Sequence, residues 1–402
     1  MEINQIDKKP RSLILTLEET LEQQEDLDSL CEDRSLQTEE IYWMNAVYGR
    51  DLVIKEYTGI AHNTSLKAVV PHGIYLTEDT IIEPDMTGDL PVIFCHSRHE
   101  EKGYTKGVIK YGFQKAIFYS ACPFLYVVEL LKDYPKPEKK GTIFFLPHST
   151  PQMQMETNLE ALAEELSLLE EEYHPITICT FWSDFLLGSH LPFQKRGMKI
   201  VSAGHMYDPQ FLFRFYHLCS QHRYACSSGL GSHIFYSIKS GCSYFHFNKQ
   251  RYLYTTEDIV QKEYIDKWQE VENNSDIPAL FPSPQALMTQ EQMKVVDYYV
   301  GADYFKTPEE LRYQLNLAEM LYNQDLRGEY QYSQYQLYAA QTELKQLEEE
   351  MEVIKEKLHN EKALREIIKT KLAETREKIA AMKTSKFWKL RTLWFKIKKI
   401  FG

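Results

Sequence analysis

The stretch Thr142-Ile-Phe-Phe-Leu146-Pro-His-Ser-Thr-Pro151 decides how this chain is read. A short apolar run that stops at proline and then turns small and polar is how a strand buried on both faces enters a ligand-holding loop. The same pattern recurs at 176–181, 199–203, 223–226 and 244–247. Between most of these strands lie helix-compatible stretches, 156–172, 209–221 and 232–240; in the first, Leu159, Leu162, Leu166 and Leu169 share one face. Strand and helix alternating in this way predict a parallel sheet covered on both sides, a Rossmann-like domain over 141–300.

Upstream, apolar segments at 66–70 and 90–95 stop at Pro71-His72-Gly73 and His96-Ser97-Arg98, and 48–57 is helical in pattern. These predict a smaller α/β domain over 41–135, joined to the larger one by the lysine- and proline-rich 132–140, an exposed hinge. Residues 1–40 are acidic and leucine-spaced, which suggests surface helices without visible chemistry. The fold class is therefore α/β, two Rossmann-like domains followed by a long C-terminal helix or coiled coil.

That C-terminal region, 305–383, carries Leu344, Leu347, Met351, Ile354 and Leu358 at alternating three- and four-residue spacing. Glu361 and Arg365 interrupt the register, and Ile368, Leu372, Ile379 and Met382 resume it, with Thr375 between. A coiled-coil homodimer and a single helix packed back on the body both fit. The tail 384–402 reverses the sign of the chain: from Lys383 onward there are seven basic residues and no acidic one. Phe387, Leu390, Trp394, Ile397 and Phe401 fall on one helical face, which suits an anionic membrane surface. Docking on another part of the protein is the competing reading.

The chain has 402 residues, 43% hydrophobic and 26% charged, with a net charge of −12, which excludes a mini-protein and disfavours nucleic acid as a partner. Its seven cysteines include no C-x-x-C pair and several lie in apolar runs, as expected of reduced, buried cytosolic thiols. The N-terminus lacks the basic-then-apolar order of a signal peptide. The uncharged run 116–128 is too short to span a bilayer and contains Pro123.

In an open parallel sheet, ligands bind beyond the carboxyl ends of the strands, so the residues there are the candidates. After the first strand of the larger domain come His148, Ser149 and Thr150, with Thr150 placed to cap a helix and Pro151 to begin it. After the second comes Asp184; after the third come His205 and Asp208, the latter read first as a cap. After the fourth comes Ser227-Ser228-Gly229-Leu230-Gly231-Ser232-His233, small residues whose amides can approach a phosphate at a helix start. His72 and His96 end strands of the smaller domain. No Walker loop, H-E-x-x-H, G-x-S-x-G or zinc-like cysteine spacing is present, and Asp26-Leu-Asp28 follows no apolar strand, so a metal-dependent transferase is disfavoured.

Two small α/β domains facing a cleft, with Cys226-Ser-Ser-Gly-Leu-Gly-Ser-His-Ile-Phe-Tyr-Ser-Ile-Lys-Ser-Gly-Cys242 in the second, resemble glycosyltransferases of the GT-B type. Pro147-His148-Ser149-Thr150 is loosely similar to the histidine motif of bacterial sialyl- and Kdo-type transferases, in which histidine precedes proline. The tail from Thr384 to Lys399 resembles basic aromatic ends found after coiled coils on bacterial glycosyltransferases and surface-polysaccharide proteins. The resemblance implies a nucleotide-sugar donor in the second domain, a glycan or lipid-linked acceptor in the first, and neither metal nor resident cofactor. It implies donor contacts from Ser149, Thr150, Ser227, Ser228, Gly229, Gly231, Ser232 and His233. Leaving-group charge would be met by these amides and by protonated His148 or His205, and the acceptor proton would go to Asp184, His72 or His96. The expected location is cytoplasmic, peripheral on the inner face of the plasma membrane. The runner-up is a catalytically inactive scaffold of a polysaccharide assembly system that has kept this fold. A sugar-nucleotide epimerase on the same fold gives no reason for the tail.

Overall fold

A computed structural model describes residues 26–76, 85–86, 89–111, 115–149, 153–247, 252–256, 275–323, most of 351–383 and 386–401, with 262, 265–266, 269–270 and 347. Thr150 and Pro151 lie outside the described residues. The chain divides into two units, Met1–Gly328 and Glu329–Gly402.

Within the first unit, apolar segments pair into two all-parallel sheets. The smaller has the order β1 (Ala68–Val69), β2 (Val92–Cys95), β3 (Ala116–Tyr119). Val92 pairs with both Ala68 and Ala116. The larger is built from β4 (Thr142–Phe145), β6 (Ile176–Cys179), β7 (Lys199–Val201), β8 (Tyr224–Ser227) and β9 (Ser243–His246), in the order β7-β6-β4-β8-β9. Phe144 sits at its centre, paired with Ile178 on one side and Cys226 on the other. Every residue of β4, β6, β8 and β9 is buried, which is why these strands read as continuous apolar runs.

Helix Leu159–Ser167 starts where the Asn158 side chain accepts the Ala161 amide. It covers one face of the larger sheet with Leu162 and Leu166, which pack with Phe144, Ile178 and Phe193. The cap expected at Thr150 lies outside the described residues; before this helix a short strand, β5 (Gln154–Glu156), pairs antiparallel with β10 (Leu253–Thr255). Both members of that pair are largely exposed, so no apolar pattern marked them.

The two sheets are joined by aromatic packing. Phe124, in helix Pro123–Leu130 after β3, stacks on Tyr236 at 4.3 Å and meets Phe215 edge-on at 5.8 Å, both on helices of the larger sheet. A second junction lies at Tyr48-Gly49, where both residues take positive φ, 63° and 67°, and the Tyr48 amide donates to Met206 O at 2.7 Å. This turn launches helix Arg50–Thr58 along the smaller sheet. On that sheet's edge the Asn45 side chain takes the place of a neighbouring strand, donating to Ala68 O and accepting from the Val70 amide. Beside it, buried Lys55 bridges Glu40 at 2.6 Å and Asp51 at 2.7 Å.

Two boundaries differ from expectation. Residues 26–34 do not form a detached surface helix: Leu30 and Cys31 are buried, and Leu30 O accepts the His205 amide. Residues 305–323 do not begin the C-terminal helical region. Helix Pro308–Tyr322 returns to the smaller sheet, with Gln314 donating to Tyr119 O, while Tyr57 donates to Lys306 O. The expected linker 132–140 is a largely exposed segment without helix or strand beyond its first turns. All seven cysteines are buried free thiols.

Candidate functional site

In the larger sheet the chain adds β6 and β7 on one side of β4, then crosses to place β8 and β9 on the other. Strand order reverses between β4 and β8. The carboxyl ends of β4 and β8 at this reversal, called the crevice below, are where such sheets bind ligands. The loops concerned are 146–149 and 228–231.

The first loop is pinned by the Asp184 carboxylate, which accepts the Ser149 amide at 2.9 Å, while Ser183 donates to Ser149 O at 3.0 Å. Ser149 Oγ accepts the Met155 amide, so this hydroxyl is engaged within the loop. His148 lies in this pinned loop, its ring 4.4 Å from that of Phe181. Its Nδ1 lies 3.3 Å from Ser149 O, a contact that an Nδ1–H satisfies and that leaves Nε2 with its lone pair. Burial lowers the His148 pKa, opposed by the nearby Asp184 charge; burial raises that of Asp184.

The second loop leads into helix Ser232–Lys239. Ser227 is fully buried: its hydroxyl donates to Gly229 O and lies 2.8 Å from both Tyr244 OH and His233 Nε2. It braces the loop rather than lining the crevice. Among the described residues, the amides of Gly229, Gly231, Ser232 and His233 have no acceptor. Amides without acceptors at a helix start are the kind of donors to which an anion can bind. Gly229 admits close packing, since a Cβ there would stand 2.8 Å from the Tyr252 hydroxyl. Ser228 is half-buried beside it. His233 is brought down to about 3 by burial, with His148 and His246 adding to the effect.

The smaller sheet closes the crevice from the opposite side. The turn after β1 touches the helix start directly, with the Ile74 amide donating to Ser232 Oγ at 2.9 Å. His72 in this turn has its Nδ1 buried without a partner. Burial, Arg50 and His148 hold its pKa at about 3, so His72 and His148 are electrostatic neighbours across the junction. Arg50 carries the turn. Its buried guanidinium donates to Val47 O at 2.9 Å and Val70 O at 3.0 Å, and also to Pro71 O and Met44 O. Among the described residues this cation is held by backbone carbonyls, with the Asp85 carboxylate the largest charge acting on it, and it helps lower His72. Sequence reasoning missed Arg50, because a basic residue opening a helix carries no mark of burial.

His72 and His233 are thus both under the electrostatic influence of His148. His205 stands apart from them: it is 1% exposed, packed 4.1 Å from Trp182, and accepts the Tyr207 amide beneath the N-terminal segment. Asp208 pairs with Arg214 at 3.0 Å and accepts the Gln210 amide, a structural role. His96 is also 1% exposed, with Nδ1 on Ser120 O at 3.0 Å, and burial lowers it to about 4. Its neighbour Glu100 accepts the His96 amide and is pushed by burial up to about 8. The expectation of a protonated His148 or His205 meets the finding that burial lowers both, leaving neutral imidazoles at pH 7.

No family model matches the chain, and no curated protein matches it in sequence. Among solved structures it is similar, at 13% identity, to the crystal structure of the pneumococcal O-GlcNAc transferase GtfA in complex with UDP and GlcNAc. The similarity covers 67% of this chain and only 54% of that one, and at a TM-score of 0.30 it bears no weight on function.

Proposed function

We propose that the chain is a glycosyltransferase that moves a sugar from a nucleotide-sugar donor to a hydroxyl of a glycan or lipid-linked acceptor. The observation that carries this reading is the meeting, at the β4–β8 reversal, of four unpaired amides with His148 and His72. The donor phosphate sits on the amides of Gly229, Gly231, Ser232 and His233, which stabilise the negative charge it gains as its bond to the sugar breaks. The acceptor oxygen bonds to the sugar carbon and gives its proton to His148 Nε2. Asp184 orients the loop that carries His148, and His72 faces the reaction from the acceptor side.

Thermal unfolding of the full chain with CMP, UDP, GDP and dTDP nucleotides, in EDTA and in magnesium, tests this. One nucleotide class is expected to stabilise it in EDTA by about 2.7 kcal/mol at a hundredfold excess over Kd. Absence of any shift would transfer the case to the inactive scaffold.

The tail belongs to the same reading. Helix Lys386–Phe401 leaves Leu390, Leu393, Trp394 and Phe395 more than half exposed among lysines, and we place it on an anionic membrane where lipid-linked acceptors reside. No helix among the described residues is long and apolar enough to cross a membrane. Removal of 384–402 is expected to release the protein from vesicles containing anionic lipid, read by co-sedimentation; undiminished binding would assign membrane contact elsewhere.

A further inference from the structure

The second unit carries an apolar stripe interrupted by charge, and that interruption specifies a partner. All described residues between 351 and 383 are helical. Met351, Ile354, Leu358, Ile368, Leu372 and Ile379 are each 47–62% exposed, a seam of alternating three- and four-residue steps with nothing over it among the described residues. Glu361 and Arg365 occupy two consecutive seam positions, joined within the helix at 2.8 Å.

We propose that this face pairs with the same face of a second copy in antiparallel orientation, centred between Glu361 and Arg365. It deepens the self-association expected of this region and does not depend on the transferase reading.

The argument is one of layers. In a parallel pair, residues of equal number face each other, so Glu361 would meet Glu361 and Arg365 would meet Arg365, two adjacent like-charge layers inside the seam. In the antiparallel pair, facing seam positions sum to 726. Glu361 then meets Arg365 of the second copy, and the reverse contact forms in the next layer. Four alternating charges close on themselves, with the in-helix bonds already made. The same register sets Leu358 on Ile368 and Ile354 on Leu372 of the second copy, apolar on apolar. Only Met351 on Thr375 is mixed. Leu364, 55% exposed beside the seam, meets its own counterpart across the two-fold axis. Such a pairing is self-complementary and closes as a dimer rather than propagating. One shifted register or a reversed direction breaks the charge match, so the polar layers select orientation where a purely apolar seam would not.

A consequence follows for the tails. At 1.5 Å per helical residue, position 383 lies ~30 Å from the axis, so the two basic segments follow opposite ends of the rod. In a parallel pair they would emerge together.

Cross-linking in the full chain tests orientation. The double variant Ile354→Cys with Leu372→Cys is expected to form a covalent dimer under mild oxidation, while each single variant does not, because like positions lie ~27 Å apart. The seven native thiols are buried and leave the background low. Covalent dimers from either single variant would overturn the antiparallel arrangement. Sedimentation tests the charge layers: Glu361→Arg or Arg365→Glu alone is expected to raise the dimer dissociation constant about tenfold or more, and the double exchange to restore it. A wild-type chain that sediments as a monomer at ~10 μM, or a double exchange as weak as either single, would overturn the proposal.

Discussion

His148→Ala is expected to lower sugar transfer by about 10²–10⁴-fold while leaving nucleotide affinity unchanged, the range that loss of a positioned general base produces. The side chain lies against Phe181 at the loop tip, and the loop itself is held by the Ser149 amide on Asp184 and by Ser183. Removing the imidazole therefore costs about 1 kcal/mol of packing and leaves the crevice standing. Single-turnover rates together with nucleotide titrations separate the two effects. A variant that loses nucleotide binding in proportion to rate would make His148 a donor contact instead. If the loss appears with His72→Ala and not with His148→Ala, the base belongs to the smaller sheet.

The pH profile adds a readout that a merely structural histidine would not move. Because burial lowers its pKa, His148 is neutral at pH 7, and the acid limb of the rate should fall below the ordinary histidine value of 6.5. The rate should be flat from there to pH 8 on this group's account. The Asp184 charge opposes the lowering, so Asp184→Asn should push the limb further to acid while the asparagine oxygen still accepts the Ser149 amide. A limb that stays in place in the asparagine variant would uncouple the two residues.

Much of this site was legible as a set of strand endings. Thr142-Ile-Phe-Phe145 and Tyr224-Ala-Cys-Ser227 announce buried strands because parallel strands have no polar face to hide the signal. Which endings adjoin was not legible. Strand order in a parallel sheet is set by crossovers between segments distant in sequence, and nothing local to His148 or His205 distinguishes the central strand from the edge. The two histidines have comparable settings in sequence and opposite fates in the fold. β3 was hidden for a different reason: Ala116-Ile-Phe-Tyr119 runs into the apolar helix Pro123–Leu130 with only Cys122-Pro123 as punctuation. Helix Pro308–Tyr322 announces its start through the Thr307–Glu310 capping box, but its pattern cannot say which sheet it covers. Arg50 was invisible because its partners are backbone carbonyls, which carry no sequence identity.

Gly49→Ala is expected to be strongly destabilising, since it strikes the junction that sets His72 against the larger sheet. Gly49 has φ of 67°, in the left-handed region, and an added Cβ would stand 2.2 Å from Pro209 O, where no rotamer change can relieve the overlap. Conformational strain alone costs about 1–2 kcal/mol. Relieving the overlap must move the 206–209 loop away and lengthen the bond from the Tyr48 amide to Met206 O, so the total should reach about 3–4 kcal/mol. Gly197 provides the control, with φ of 75° and nothing within 4 Å of an added Cβ. Gly197→Ala should show the strain term only. Urea unfolding of both variants isolates the junction: a midpoint for Gly49→Ala equal to that of Gly197→Ala would mean that the 206–209 loop gives way freely. In that case the contact is not what holds the two sheets in register. If the predicted gap appears, nucleotide binding should survive, because the amides of Gly229, Gly231, Ser232 and His233 are carried by the loop and helix after β8, whereas transfer should fall with the displaced His72 turn.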